Sequence, residues 1–271
     1  MSKTTEHIDS NSNLRQKEFY NTKINNWATN IWSYFRNGIL NKTRKNIGIE
    51  REVLELHLKW CGDLSEKKVL DLGCYEGNAL SIHLAKNSKE YLGIDLSEIG
   101  IGKLSQKIKN ITKAEAKTID FLSPEFNETG FDLIYAYGVL HHFRDMDFLI
   151  TKLREKLTEN GQIISYDPLK TSIPIKILRS IYRPFQTDKD WEWPFTKKVY
   201  FQFKNAFHII DKRAVLGKSK WVFLLGILPF SKERKGKIAD GWHKEDWENS
   251  RNSDQYLFGC MHLTMLMQKR N

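Results

Sequence analysis

The chain has 271 residues, of which 40% are hydrophobic and 28% are charged, and its formal net charge at pH 7 is +10. These values suit one large core with added elements and exclude a fibrous or largely disordered protein. The three cysteines, Cys61, Cys74 and Cys260, are too few and too scattered for a disulfide framework or a zinc site. We therefore predict no metal and a reducing, cytoplasmic location. The positive charge fits either a solvated surface or an anionic partner, such as a phosphorylated small molecule, an acidic lipid surface or RNA.

The N-terminal part of the chain predicts a helical cap outside the main sheet. Residues 1–13 are rich in Ser, Thr and Asn and are predicted to be a disordered tail without a secretory signal. From residue 14, apolar and aromatic residues recur every three or four positions, and a second such segment ends at Gly62. We predict a helical cap over residues 14–62. It either covers a pocket, with Tyr20 and Trp27 as candidate acceptor contacts, or simply packs on the core.

Short apolar segments alternate with helical patterns from residue 63 to the end of the chain. This alternation is typical of an α/β domain with a parallel sheet and helices on both faces. Two insertions are predicted, one at about 168–195 after the fifth strand and a helical one at about 212–250. The predicted strands are residues 68–72, 90–95, 114–121, 130–137, 162–166, 206–211 and 256–268.

The longest apolar run, WVFLLGILPF at residues 221–230, is broken by a glycine and a proline. It is far shorter than the roughly 20 residues that cross a bilayer, so we predict no transmembrane segment. We favour a buried helix here. Because basic residues flank the run on both sides, peripheral contact with an anionic membrane stays open as an alternative; these residues are Lys218, Lys220, Lys232, Arg234 and Lys235.

The stretch VLDLGCYEG at residues 69–77 joins the first strand to its helix through a tight, glycine-containing turn. It is followed, in order, by YLGIDLSE, by the acid of KTIDFLS, by FDLIYAYGVLHHF and by GQIISYD. Over roughly residues 67–168 this series resembles the class I S-adenosylmethionine-dependent methyltransferases. The resemblance implies a Rossmann-like, doubly wound, seven-stranded sheet, mostly parallel with an antiparallel C-terminal strand. It also implies an enzyme that uses S-adenosylmethionine.

The resemblance places the cofactor against the ends of successive strands. Gly73 and Gly77 allow close approach of the backbone and permit angles closed to other residues. Asp71 would orient the turn or reach the cofactor's ammonium group, and Asp95 would accept hydrogen bonds from both ribose hydroxyls. The candidate cofactor-binding residues are Asp71, Gly73, Cys74, Gly77, Asp95, Leu96, Asp120, Phe121 and Tyr137.

At the other end of the cofactor, the resemblance implies that Asp120 contacts the adenine amino group and that Phe121 lies against the ring. Tyr137 would lie beside the reactive sulfonium. One departure from the family pattern is Tyr75, which occupies the middle position of Gly-x-Gly-x-Gly. We expect its ring either to narrow the loop or, as we favour, to turn outward.

Methyl transfer needs positioning above all, and it needs a base only when the acceptor must lose a proton. The candidate catalytic residues are His141 and His142, just after the fourth strand, and Asp167, just after the fifth. Histidine suits this work because it titrates near neutral pH. The alternative is that the two histidines only pack or form hydrogen bonds, and the pattern does not separate one from the other.

The acceptor side should come from the N-terminal cap and from the insertion, where Trp191 and Trp193 join Tyr20 and Trp27 as candidates. We predict O-methylation of a small-molecule, glycan- or lipid-linked acceptor, which the positive charge allows to be anionic. One alternative is an RNA methyltransferase. Against it, the fourth strand ends in YAYG, where methyltransferases that act on amino groups of nucleic acids commonly have Asn/Asp-Pro-Pro-Tyr, and no RNA-binding module is visible. Another is a non-catalytic protein that retains the fold, for which Tyr75 is the only support.

Overall fold

The computed structural model describes residues 41–173, 176, 177, 180 and 192–270. The predicted tail at 1–13, most of the predicted cap at 14–62 and the candidates Tyr20, Trp27 and Trp191 lie outside these residues. The helices are α1 (Asn41–Asn46), α2 (Ile49–Cys61), α3 (Ala79–Asn87), α4 (Glu98–Ile108), α5 (Met146–Lys156), α6 (Lys197–Ala206), α7 (Lys232–Asn252) and α8 (Asp254–Leu257). Two 3-10 helices are Leu140–His142 and Ser219–Ile227.

The strands are β1 (Lys68–Leu72), β2 (Glu90–Asp95), β3 (Ala114–Thr118), β4 (Phe131–Tyr137), β5 (Leu157–Pro168), β6 (Phe207–Val215) and β7 (His262–Lys269). They form one sheet in the order β3-β2-β1-β4-β5-β7-β6. Strands β1 to β5 are parallel, and β7 runs antiparallel between β5 and β6. This confirms the predicted doubly wound sheet and its antiparallel C-terminal strand.

Both faces of the sheet are covered by helices. On one face, α2, α3 and α4 bury apolar side chains against Val69 of β1 and Leu133 of β4. On the other, α5 and α6 pack on Ile134 of β4 and Ile163 of β5. Side-chain caps start the crossover helices, as when Ser97 accepts a hydrogen bond from the backbone N–H of Gly100. The carboxyl ends of β1 to β5 therefore meet at one edge, which we call the ligand edge.

Several predicted boundaries were wrong. Strand β3 stops at Thr118, and β5 starts at Leu157, five residues before the predicted position. The final strand starts at His262 because the preceding residues form α8, which Ser253 caps through its hydroxyl. Strand β6 extends to Val215, inside the predicted helical insertion, because it pairs with β7 along its length.

The prediction of a buried helix at residues 221–230 was also wrong. The segment belongs to the 3-10 helix Ser219–Ile227, in which Leu225 is buried but Trp221, Leu224 and Ile227 are exposed. In the parts of the chain that the structure describes, no helix is long and apolar enough to cross a membrane.

Candidate active site

The loop after β1 takes its shape from left-handed backbone angles at alternate residues. The φ angles are +70° at Gly73, +45° at Tyr75 and +73° at Gly77. A Cβ atom on Gly73 would overlap Val139, and one on Gly77 would lie 2.7 Å from Cδ1 of Leu104. The fold itself therefore requires both glycines, whether or not a ligand approaches the loop.

Tyr75 adopts the left-handed conformation that a glycine usually takes, and its ring leaves the loop. A Cβ atom built on Gly100 would lie 2.5 Å from Cδ2 of Tyr75, so the ring packs on the first turn of α4. The backbone N–H of Tyr75 donates to Oδ2 of Asp95 over 3.0 Å. Its side chain is thus accommodated by the absence of a side chain at Gly100.

Asp95 ends β2 and presents a fixed carboxylate to the ligand edge. Its Oδ1 accepts from the backbone N–H of Ser97 at 2.8 Å, and its Oδ2 accepts from that of Tyr75. Burial raises the pKa of this carboxyl group, and the two N–H groups oppose the shift. Each oxygen still has room for a second donor, as contact with two ribose hydroxyls would require. Leu96 follows directly and is partly buried.

Asp71 lies deeper than Asp95, with 2% of its surface exposed. Its Oδ2 accepts from the hydroxyl of Tyr91 at 2.8 Å, which ties β1 to β2. Burial raises the pKa of Asp71 to about 6, while hydrogen bonds from Ser81 and Tyr91 oppose the shift. The side chain offers almost no surface to an ammonium group, so its contacts support the predicted role in orienting the turn. Cys74 is also buried, and burial raises the pKa of its thiol.

The two residues expected at the adenine lie in the turn after β3. Oδ1 of Asp120 accepts from the backbone N–H of Leu122 at 2.9 Å. Phe121 is 2% exposed and packs between Phe126 and Phe143, with ring centroids 5.6 and 6.2 Å away. Phe121 therefore belongs to the core, and a flat contact with adenine would require its ring to leave that cluster.

His141 and Asp167 meet where β4 and β5 end. Nδ1 of His141 lies 2.9 Å from Oδ1 of Asp167, and the backbone N–H of His141 donates to the same oxygen at 3.1 Å. Asp167 is buried, and its Oδ2 has no hydrogen-bond partner among the described residues. Burial raises the pKa of Asp167 to about 7, and the N–H of His141 opposes the shift. The carboxylate thus holds the imidazole by its Nδ1 side.

His142 lies beside His141, with ring centroids 4.1 Å apart and ring planes tilted by 37°. The backbone N–H of Trp193 donates to the carbonyl of His141 at 2.8 Å. The end of the insertion is therefore tied to the loop that carries the two histidines. Of the four candidate acceptor residues, Trp193 is the one that the described structure brings to this edge.

A row of stacked rings crosses the ligand edge on the opposite face of the sheet. Tyr137 stacks on Tyr166 at 4.8 Å, and Tyr166 stacks on His262 at 5.4 Å. Nη2 of Arg44, from α1, lies 3.1 Å from Nε2 of His262. Tyr137 is 39% exposed, so the row is open at the end nearest β1.

Tyr137 is a candidate from the sequence, whereas Tyr166, His262 and Arg44 join this row in the structure without having been predicted. His262 reaches the site because β7 inserts between β5 and β6 and pairs its first residue with Pro168. No sequence pattern near His262 predicts that β7 pairs between β5 and β6. Among the described residues, no group of three or more His, Cys, Asp or Glu side chains is arranged to hold a metal ion.

The strand order, the turn after β1 and the acid that ends β2 define a class I S-adenosylmethionine-dependent methyltransferase. The sheet carries its candidate residues at the ligand edge, as doubly wound nucleotide-binding sheets do. Residues 44–210 match the family model described as a methyltransferase domain. The match covers more than half of the chain, so the chain belongs to this family, whose cofactor is S-adenosylmethionine.

Curated relatives resemble parts of the chain. The tRNA U34 carboxymethyltransferase of Nautilia profundicola is 31% identical over 199 residues, which are 66% of this chain and 63% of that protein. The carboxy-S-adenosyl-L-methionine synthase of Helicobacter pylori is 33% identical over 102 residues, or 35% of this chain and 41% of that protein. An uncharacterised protein of Haemophilus influenzae is 27% identical over 107 residues, which are 38% of this chain and 42% of that protein. The chain thus spans less than two thirds of the length of these relatives.

Solved structures share the fold at low identity. The N-methyltransferase NodS from Bradyrhizobium japonicum, in complex with S-adenosyl-L-homocysteine, gives a TM-score of 0.51 at 19% identity, covering 83% of this chain and 88% of that one. The geranyl diphosphate C-methyltransferase from Streptomyces coelicolor gives a TM-score of 0.54 at 9% identity, covering 82% of this chain and 76% of that one. Because one of these proteins is an N-methyltransferase and the other a C-methyltransferase, the shared fold does not define the acceptor of this chain.

Proposed function

We propose that this protein transfers a methyl group from S-adenosylmethionine to a hydroxyl oxygen of a small-molecule, glycan- or lipid-linked acceptor. The observation that carries the proposal is the buried contact between His141 and Asp167 at the ligand edge. A histidine oriented by a carboxylate is the usual arrangement for removing a proton from a hydroxyl group. Transfer to an acceptor that has no proton to lose would leave this pair without a chemical task.

When bound, S-adenosylmethionine supplies a methyl group on a positively charged sulfur that leaves as a neutral thioether. Asp95 would hold the ribose, with its carboxylate already fixed by two backbone N–H groups. Asp167 accepts from Nδ1–H of His141 and so leaves Nε2 as the ring atom that takes the acceptor proton. The carboxylate would then stabilise the imidazolium that forms.

The acceptor would also carry an anionic group, which Arg44 would bind. Among the described residues, no carboxylate lies within ion-pair distance of Arg44, and its Nε–H is buried without an acceptor. A guanidinium that has no carboxylate partner among the described residues would bind a carboxylate or phosphate strongly, because charge-assisted hydrogen bonds are stronger where the dielectric constant is low. Tyr137 offers the exposed ring of the same row to the uncharged part of the acceptor.

Release of S-adenosylhomocysteine, measured against a panel of hydroxylated acceptors with and without an acidic group, tests the proposal. His141→Gln should lower kcat by about 100- to 10,000-fold, while His208→Gln, an exposed control, should not. Asp167→Asn should also lower kcat, and His141→Gln should lose the rise of log kcat with pH that we expect of wild type below neutrality. Arg44→Gln should raise KM for acidic acceptors alone.

Near-normal turnover and an unchanged pH profile in His141→Gln would refute the base. If His141→Gln loses turnover, its cofactor affinity, measured separately by calorimetry, shows whether the base or the fold has been lost. If wild type binds neither S-adenosylmethionine nor S-adenosylhomocysteine, the retained fold serves a non-catalytic role instead.

Transfer to tRNA is a second candidate, supported by the similarity to the tRNA U34 carboxymethyltransferase of Nautilia profundicola and by the net charge of +10. A basic protein that binds RNA through phosphates loses affinity steeply as salt rises. Incubation with total tRNA and with either S-adenosylmethionine or its carboxylated form as donor tests this candidate. Modified nucleosides in the RNA digest would support it, and salt-insensitive or absent RNA binding would refute it.

A further inference from the structure

The 3-10 helix Ser219–Ile227 and the residue after it expose an unusual concentration of apolar surface. We call residues 221–228 the apolar tip. Its exposed side chains are Trp221 (38% exposed), Leu224 (43%), Ile227 (81%) and Leu228 (42%). Large apolar side chains so close together on a surface mark an interaction site more often than a solvated one.

The base of the apolar tip is firmly anchored. The buried carboxylate of Asp246 accepts from the backbone N–H groups of Gly217 and Ser219 at 2.8 and 2.9 Å. Leu225 points inward, into a cluster with Ile47 and Tyr166. The outward side chains are therefore held out by a packed element rather than by a fraying end.

Three cations from the start of α7 stand beside the apolar tip. Among the described residues, Lys232, Arg234 and Lys235 have no carboxylate within ion-pair distance. Arg234 lies 4.1 Å from the ring centroid of Phe230, and Lys235 contacts the carbonyl of Gly226 at 3.4 Å. All three belong to the first turn of α7, where positive side chains oppose the helix dipole; the one acidic residue of that turn, Glu233, pairs with Lys237. An anion at this place would relieve that unfavourable interaction.

The apolar tip lies at the ligand edge. Strand β6 ends at Val215, opposite His262, and the tip follows after three residues of turn and the first two positions of the 3-10 helix. Lys220, next to the tip, contacts Ser172 just beyond β5 at 3.3 Å. Tyr166, which belongs to the stacked row of the active site, shares a buried cluster with Leu225.

We propose that the apolar tip and its three cations dock the protein on an anionic membrane surface, with the ligand edge near the lipid headgroups. The apolar side chains would enter the boundary between headgroups and acyl chains, and the cations would meet the phosphates. This arrangement would deliver a membrane-bound acceptor to the site. It goes beyond the proposed methyl transfer and does not depend on it.

Charge and shape favour a membrane over the other occupants. RNA would use the cations but would leave Ile227 and Leu228 in water, since nucleic-acid sites rely on stacking aromatic rings and basic groups. A second copy of the chain would bring its own three cations against these three, and like charges in contact are unfavourable. An anionic bilayer satisfies both the apolar and the basic part.

Vesicle flotation with the full chain tests the proposal, using phosphatidylcholine alone or mixed with about 30% phosphatidylglycerol. Wild type should float with the anionic vesicles and not with the neutral ones. Changing Lys232, Arg234 and Lys235 together to Gln should lower the partition coefficient on the order of 100-fold, at about fivefold per cation. Ile227→Gln should lower it about tenfold or more, because the side chain no longer enters the apolar layer.

Matched variants separate docking from charge and folding. Lys86, Lys109 and Lys113, all exposed at the opposite edge of the sheet, should tolerate the same triple change to Gln with little loss of binding. Equal loss in both triple variants, or equal flotation with both vesicle types, would overturn the proposal. So would a dimer in solution that Ile227→Gln dissociates, or tRNA binding that replaces vesicle binding. Each of these outcomes leaves methyl transfer to be judged by its own assay.

Discussion

Tyr75 provides a direct test of the loop geometry, because a left-handed backbone reverses the usual ranking of alanine and glycine. At φ +45° an L-residue is strained by about 1 to 2 kcal/mol, which glycine does not pay. Glycine also has greater conformational freedom in the unfolded chain, which lowers the stability of the Gly variant by roughly 0.5 to 1 kcal/mol and offsets part of this advantage. We therefore expect Tyr75→Gly to be more stable than Tyr75→Ala by about 0.5 to 1 kcal/mol.

Equilibrium denaturation in urea measures this difference, with Lys244 as the control site. Lys244 is exposed in the middle of α7, where Gly should be less stable than Ala by about 1 kcal/mol. If Gly is the less stable residue at position 75 as well, the left-handed turn is refuted. Gly100→Ala adds a check on the ring: its cost should be larger in wild type than in Tyr75→Ala, because the new Cβ meets the ring at 2.5 Å.

Three further predictions concern buried or fixed ionisable groups. Asp95→Asn should weaken S-adenosylhomocysteine binding by roughly 10- to 100-fold in calorimetry, whereas the exposed Asp240→Asn should not. Burial lowers the pKa of His57 to about 3. The free energy of unfolding should therefore fall as pH drops from about 6.5 toward 3, by up to about 1.4 kcal/mol per pH unit. Denaturation measured across this pH range should show the fall in wild type and not in His57→Gln. Asp71 has the opposite sign: its pKa is raised from 3.8 to about 6, so its contribution is present below pH 3.8 and is lost as pH rises through 6. Wild type should therefore lose roughly 3 kcal/mol of its free energy of unfolding between pH 4 and a pH above 6, and Asp71→Asn should not show this loss. Equal pH dependence in the two proteins would contradict the buried carboxylate.

Local patterns predicted those parts of the site that follow directly from strand ends. Asp95 and the pair of His141 and Asp167 lie at the ends of parallel strands, which a doubly wound sheet brings to one edge whatever the details of its helices. The predicted contact of Phe121 with adenine stays a prediction, because an apolar residue after a strand can turn toward a ligand or toward the core, and here its ring packs on Phe126 and Phe143.

The remaining wrong predictions were made from apolar segments whose packing partners the sequence does not reveal. Residues 221–230 are apolar enough for the core, yet Gly226 and the anchoring of the segment by Asp246 hold much of its surface outward. Strand β7 was extended too far back because YLFGCM is as apolar as a strand, while Ser253 starts a helix there instead. Tertiary contacts decide both cases, and none of them is local in sequence.

One buried chain of hydrogen bonds explains how distant segments build a single site. The hydroxyl of Thr264 on β7 donates to the carbonyl of Ser165 on β5 at 2.7 Å, so its oxygen must accept from Nε2–H of His57 on α2, also at 2.7 Å. The ring of His57 lies 6.2 Å from that of Tyr137. Protonation of His57 would keep this Nε2–H bond to Thr264 but would place a charge at a buried position, which is the reason that burial lowers its pKa. Helix α2 is therefore fixed to the C-terminal strand near the place where Arg44 and His262 meet, so neither of these two residues can be assigned to the candidate site from its own neighbourhood in the sequence.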